Sequence, residues 1–131
     1  MKENNLAINN FDYDKSLFKV MNNSNSWKFL LMKQKGKSLI AGVMFCFINR
    51  ANNSINPLLI GMEAEGSDRL ILYRQLLFQT LITAKNLGFE KVYLGLSASF
   101  EKRKLGAEIT RKEAYMQTKD NYAIDLLSSF E

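Results

Sequence analysis

Arg69-Leu70-Ile71-Leu72-Tyr73-Arg74-Gln75-Leu76-Leu77-Phe78-Gln79-Thr80-Leu81-Ile82-Thr83-Ala84-Lys85-Asn86-Leu87-Gly88, followed by Phe89-Glu90-Lys91-Val92-Tyr93-Leu94-Gly95-Leu96, decides the fold. Leu70, Tyr73, Leu77, Leu81 and Ala84 recur at helical spacing, with Leu76 and Phe78 widening the stripe. Ser67 or Asp68 supplies an N-cap and Gly88 a C-terminal stop, so a long helix is predicted over 69–87. The short run Lys91 to Leu96 is apolar on both faces, as a buried strand is. A strand before the helix and another after it make a right-handed crossover to a parallel neighbour.

Upstream of that unit the signals are those of a meander. Trp27 to Lys33 and Ser38 to Asn49 are apolar on both faces and joined by the turn Gln34-Lys35-Gly36-Lys37. Neither run alternates, which predicts strands inside the sheet with cover on each face. Arg50-Ala51-Asn52-Asn53-Ser54 is a second turn, and a third strand runs from Ile55 to about Met62. Residues 1–26 read as a tail carrying one short helix from about Asp14 to Met21, capped by Asp12 or Asp14, with Leu17, Phe18 and Met21 on its apolar side. Downstream, Ser97 to Leu105 forms a short helix ended by Gly106. Ile109 to Thr118 alternates as a later strand, and Tyr122 to Phe130 adds one more element. The order is β-β-β-α-β-α-β, an α/β (α+β type) domain with a mixed sheet.

Composition limits the chemistry. The 131 residues make room for one domain, 47% hydrophobic and 24% charged, with a net charge of +5. With no histidine and one cysteine, imidazole zinc sites, Ser-His-Asp triads, Cys-His dyads and internal disulfides are all excluded. The longest apolar run, Leu39 to Ile48, is half the ~20 residues that a membrane-crossing helix needs. The polar start Met1-Lys2-Glu3-Asn4-Asn5 lacks a secretory h-region, so a cytoplasmic protein without membrane contact is expected. Cys46, mid-strand in that run, reads as inert packing. Trp27, Phe45, Phe47 and Phe78 read as core.

A meander, a helix opening just past a strand end, a parallel strand and a short helix ending in Leu-Gly resemble the GNAT superfamily of N-acyltransferases. The stretch Gly61-Met62-Glu63, Leu72-Tyr73, Ala84-Lys85-Asn86-Leu87-Gly88, Tyr93-Leu94-Gly95-Leu96-Ser97 and Lys102-Arg103-Lys104-Leu105-Gly106-Ala107 looks most like the branch related to Fem-type peptidoglycan aminoacyltransferases. The likeness spans about Trp27 to Thr118, within a 27–131 domain. It implies transfer of an acyl group from acetyl-CoA or another acyl-CoA, or from aminoacyl-tRNA in the Fem-type branch, to a small-molecule or peptide amine. It also implies that the sheet opens between the Ile55–Met62 and Lys91–Leu96 strands, where a backbone amide holds the oxyanion.

On that resemblance Glu63 is the base that takes the amine proton. Gly66, Ser67, Asp68 and Arg69 form the phosphate-holding turn, with Glu65 beside the substrate. Lys102 falls where the family has a tyrosine and reaches a substrate phosphate or carboxylate. Ser97 and Ser99 lie just past a strand end, where open α/β sheets bind ligands. Two departures stand out. Acyl-CoA binders carry Gln/Arg-x-x-Gly-x-Gly/Ala where this chain has Glu63-Ala64-Glu65-Gly66-Ser67-Asp68, so carboxylates compete with phosphate for the helix amides and only Arg69 and Arg74 offset them. Residues 1–26 are also too few for the family's first strand and two acceptor-binding helices.

Each residue has a plain alternative. Glu63 and Glu65 can be solvated loop residues, Gly66 to Asp68 an ordinary helix start, Ser97 and Ser99 caps, and Lys102 to Lys104 a solvated face. Seven basic residues and no acid lie between Lys15 and Met62. They protect strand edges or meet an acidic partner such as CoA phosphates or tRNA. A non-catalytic GNAT-like module that forms a homodimer or binds a partner through its hairpin therefore stays open beside the enzyme. No metal is implied.

Overall fold

The computed structural model describes residues 13–36, 38–64, 66–96, 98–113 and 115. Helix α1 (Lys15–Asn22) starts at Asp14, whose Oδ1 accepts the Ser16 N–H at 2.7 Å. Strands β1 (Trp27–Lys33), β2 (Ile40–Asn49) and β3 (Ser54–Met62) form an antiparallel meander. Helix α2 (Gly66–Asn86) crosses back to β4 (Lys91–Val92), which lies parallel to β3, and α3 (Ser99–Lys104) follows. The result is a four-stranded mixed sheet in the order β1-β2-β3-β4 with helices packed on it.

The two faces of the sheet have different cover. Met44, Cys46 and Ile55 point to one face and pack against Leu76, Leu77 and Ala84 of α2 to form the buried core. Gly42 lets the helix come close, since a Cβ there would sit 3.1 Å from side-chain carbons of Leu72 and Leu76. The other face is aromatic: Trp27 meets Phe47, Phe29 meets Phe45, and Phe18 of α1 lies 5.0 Å from the Phe45 ring.

Several expectations need correction. β2 does alternate in burial, because α2 lies on one face only, and β1 is the outermost strand of the sheet rather than an inner one. On α2 the buried row is Leu76, Leu77, Thr80 and Ala84. Phe78, expected in the core, is 46% exposed, and Leu70 is exposed as well. Thr80 enters the core because its hydroxyl donates to the Leu76 carbonyl at 2.9 Å, which satisfies it inside the helix. Helix α2 already begins at Gly66, so Ser67 and Asp68 lie in its first turn and not before it. No strand forms over the described part of 109–118, where the chain has no neighbouring strand to pair with among the described residues. The element expected over 122–130 lies outside the described residues.

The end of α2 and the start of β4 are tied down together. Gly88 (φ +76°) turns the chain, with Gly88 N–H bonding to Lys85 O at 3.2 Å and Phe89 N–H to Ala84 O at 2.9 Å. These are the paired bonds of a Schellman motif. Asn53, in the β2–β3 turn, accepts from the Glu90 and Lys91 amides through its carbonyl and donates from Nδ2 to Gly88 O. A polar turn thereby docks β4 beside β3.

Candidate functional site

β3 and β4 pair at Ser54↔Lys91 and Ile55↔Val92 and no further, with one more bond from Tyr93 N–H to Ile55 O at 3.2 Å. The expected strand over 91–96 thus ends at Val92. β3 continues to Met62 held on its β2 side alone among the described residues. Along that stretch the register slips between Phe45 and Cys46, leaving Leu58 as an extra residue. Such a bulge bends a strand and re-aims its groups.

Beyond β4 the chain lines a cleft of about 320 Å³ with Gly95, Leu96, Ser99, Lys102, Glu108 and Lys112. Ala98, at φ +55°, occupies the left-handed region that favours glycine and sets the cap position of α3 without a side-chain capping bond. Ser99 is therefore the first helical residue and faces the cleft instead of capping. Lys102 is 4% exposed, and its Nζ lies 3.9 Å from where a Cβ on Gly95 would stand. Gly95 is called for by its backbone, at φ +81°, since a Cβ there would make only ordinary contact with that ammonium. Burial holds the Lys102 amine below the ordinary lysine range, since the charged form loses hydration.

The next residue back explains how a lysine comes to be buried there. Glu101, 9% exposed, takes a two-pronged ion pair from Arg74 of α2, with Nη2 donating to Oε1 at 2.9 Å and Nε to Oε2. Lys104 adds a third donor at 3.3 Å. The hydrogen bonds from Arg74 are the main reason that the Glu101 carboxyl is held down to about 2. This clamp pins α3 to α2 and leaves Lys102, one position along, turned into the cleft. The half-buried Tyr73 phenol is pushed up, first by burial and then by the Glu101 charge.

The structure sorts the sequence candidates into separate groups. Glu63 sits at the end of β3, exposed, its amide donating to Ala41 O at 2.9 Å. Gly66, Ser67, Asp68 and Arg69 form the exposed first turn of α2, with Gly66 at φ +57°. Lys102 lies in the cleft with Ser99. Glu65 and Ser97 are outside the described residues. Arg74, expected to offset the carboxylates of the α2 turn, is instead committed to Glu101. Arg103 is exposed and Lys104 lies 4.1 Å from the Phe100 ring centroid, so the basic triplet splits three ways. Glu101 had no site role in the sequence reading; its signal was a lone acid opening a basic triplet, with Lys104 three residues on.

What the structure defines is an α/β domain with a four-stranded mixed sheet and a cleft past the end of its parallel strand. No family model matches the chain, nor does any curated protein or solved structure match it. No helix among the described residues is long and apolar enough to cross a membrane.

Proposed function

We propose that the chain is a GNAT-type N-acyltransferase that passes an acyl group from acyl-CoA to an amine. The observation that carries this reading is the parting of β3 from β4 after two residue pairs, with the chain that follows β4 lining a cleft to which the buried Lys102 contributes. An opened parallel pair can offer main-chain N–H groups to an oxyanion; Pro57, the next β3 residue on that side after Ile55, has none, so the donor comes from beyond the bulge at Leu58. In the reaction the amine nitrogen attacks the thioester carbonyl carbon, its proton goes to Glu63, and the sulfur leaves with the bonding pair. Lys102 holds a phosphate or carboxylate of the substrate.

The α2 turn favours a second reading. With Arg74 bound to Glu101, only Arg69 is left to offset the charges of Glu63 and Asp68 in a turn that must attract phosphate under the acyl-CoA reading. That arrangement supports a Fem-type donor, or a partner-binding module that does no chemistry.

A thermal-shift titration with acetyl-CoA, CoA and ATP tests the first reading. A ligand at a hundred times its Kd stabilises the fold by about 2.7 kcal/mol, a melting shift on the order of 10 °C for a chain this size. A shift with both CoA species and none with ATP supports acyl-CoA as donor. No shift at millimolar ligand rejects it. Glu63→Gln should lower turnover about 10²-fold if Glu63 is the general base; unchanged turnover removes it from that role.

A further inference from the structure

The outer edge of the sheet carries its own interaction surface, on the far side from the cleft. We propose that β1 accepts an extended segment of a partner protein, apolar in the middle and acidic at both ends, as a fifth strand. This gives a surface and a partner chemistry to the partner-binding reading. It does not depend on acyl transfer, so failure of either leaves the other standing.

Three observations converge on β1. It is the terminal strand, and no strand pairs with its outer side among the described residues. An edge strand presents a row of main-chain donors and acceptors, a template for strand addition. β4, at the other edge, has two residues and offers almost none. Next, a groove of about 360 Å³ runs along Phe29 to Lys33 and is walled by Gln79 and Thr83, one turn apart on α2. Those side chains put polar groups of α2 beside the edge strand. Lastly, the middle of β1, Phe29-Leu30-Leu31-Met32, has no charge and no proline, and its one register slip falls at the end, between Met32 and Lys33. Leu31 is 55% exposed.

Charge selects the occupant. Lys28 and Lys33 are exposed at the two ends of the apolar four, with Lys35 just beyond, about 17 Å apart for the first pair at strand spacing. No acid occurs between Lys15 and Met62. A second copy would bring two such basic edges together, whereas a strand with an acidic residue at each end of its apolar centre pairs with both lysines.

The test uses the full chain and a fluorescent, end-blocked probe peptide, Glu-Val-Thr-Val-Ile-Glu. Two controls accompany it: the same peptide with lysine at both ends, and one N-methylated at alternate amides. The acidic probe should bind with a Kd between about 10 μM and 1 mM. Both controls should bind at least about tenfold more weakly. The double variant Lys28→Glu, Lys33→Glu should lose about tenfold for the acidic probe and recover the lysine-ended one. Amide exchange over residues 28–32 should slow when the probe binds. No binding at millimolar probe, or equal binding of either control, overturns the proposal. So do β1 amides already protected on both sides in the free monomer, which would mean that the chain covers its own edge. Protection that appears together with a dimer in sedimentation would assign the edge to a second copy and overturns it too.

Discussion

Glu101 serves two cations on two elements, and its titration should be visible in the whole fold. Its folded pKa lies near 2, below the ordinary 4.5, so the carboxylate contributes stability that is fully present above about pH 5. That contribution is lost as the pH falls toward 2. Glu101→Gln should lower the urea midpoint at about pH 6 and narrow the gap between pH 6 and pH 3. A wild-type gap of unchanged size in the variant would remove Glu101 from the acid response. Lys102 works in the other direction. Its folded pKa is depressed, so the unfolded chain binds more protons and stability rises with pH into the alkaline range. Lys102→Met should raise the melting temperature at neutral pH, flatten the alkaline rise, and weaken any phosphate or carboxylate ligand of the cleft by about 10-fold or more. Ala98 holds a left-handed backbone beside that cleft. Ala98→Gly should stabilise by about 0.5–1 kcal/mol, read as a shift in the denaturation midpoint, because glycine adopts that conformation without a Cβ penalty.

At the scale of elements, α2 does most of the organising. It covers one face of the meander, delivers the chain to β4 and donates Arg74 to α3. Leu76→Ala should cost about 2–5 kcal/mol, since the side chain is fully buried against β2 and β3. Its C-terminal turn is a separate test. A Cβ at Gly88 meets nothing within 4 Å, so Gly88→Ala isolates the cost of the left-handed conformation, about 1 kcal/mol. Asn at 88 should cost less, since Asn tolerates that region better than Ala. A null effect in equilibrium denaturation would show that the chain end of α2 relaxes without the motif.

Over the whole molecule, burial makes Cys46 a reporter of global opening. The thiol lies under α2 with Thr80 Oγ1 at 4.0 Å, and burial pushes its pKa up to about 11. Ellman's reagent should leave the native thiol unlabelled, with labelling limited by the rate at which the fold opens. Rapid labelling in native buffer would place Cys46 at a surface. The whole molecule is also divided by charge. The basic stretch from Lys15 to Met62 builds α1 and the meander, while the acids begin again at Glu63. The chemistry of the cleft and of the β1 edge is thus separated across the sheet.

Much of the architecture was legible because its causes are local. The turns at Gly36 and Asn52-Asn53, the stop at Gly88 and the helical period of 69–87 act over a few residues, and the elements form where these signals lie. The buried row on α2 was less legible, since Thr80 has the spacing of the stripe but is polar, while Leu70 and Phe78 are apolar and end up exposed. Which of them faces β2 depends on where the sheet lies. The candidate site was the least legible part. Lys102, Arg103 and Lys104 are chemically alike in the chain, and nothing local tells which one is buried. The Arg74–Glu101 pair decides it, spanning 27 residues and closing only when α3 packs on α2. The order of elements from α1 to α3 and the turn positions came from the sequence by itself, because short-range sterics and hydrogen bonding dictate them, whereas no strand formed over the described part of 109–118. The buried lysine, the length of the parallel pairing and, among the described residues, the unpaired edge of β1 were decided by tertiary structure, because each depends on which distant surface packs there.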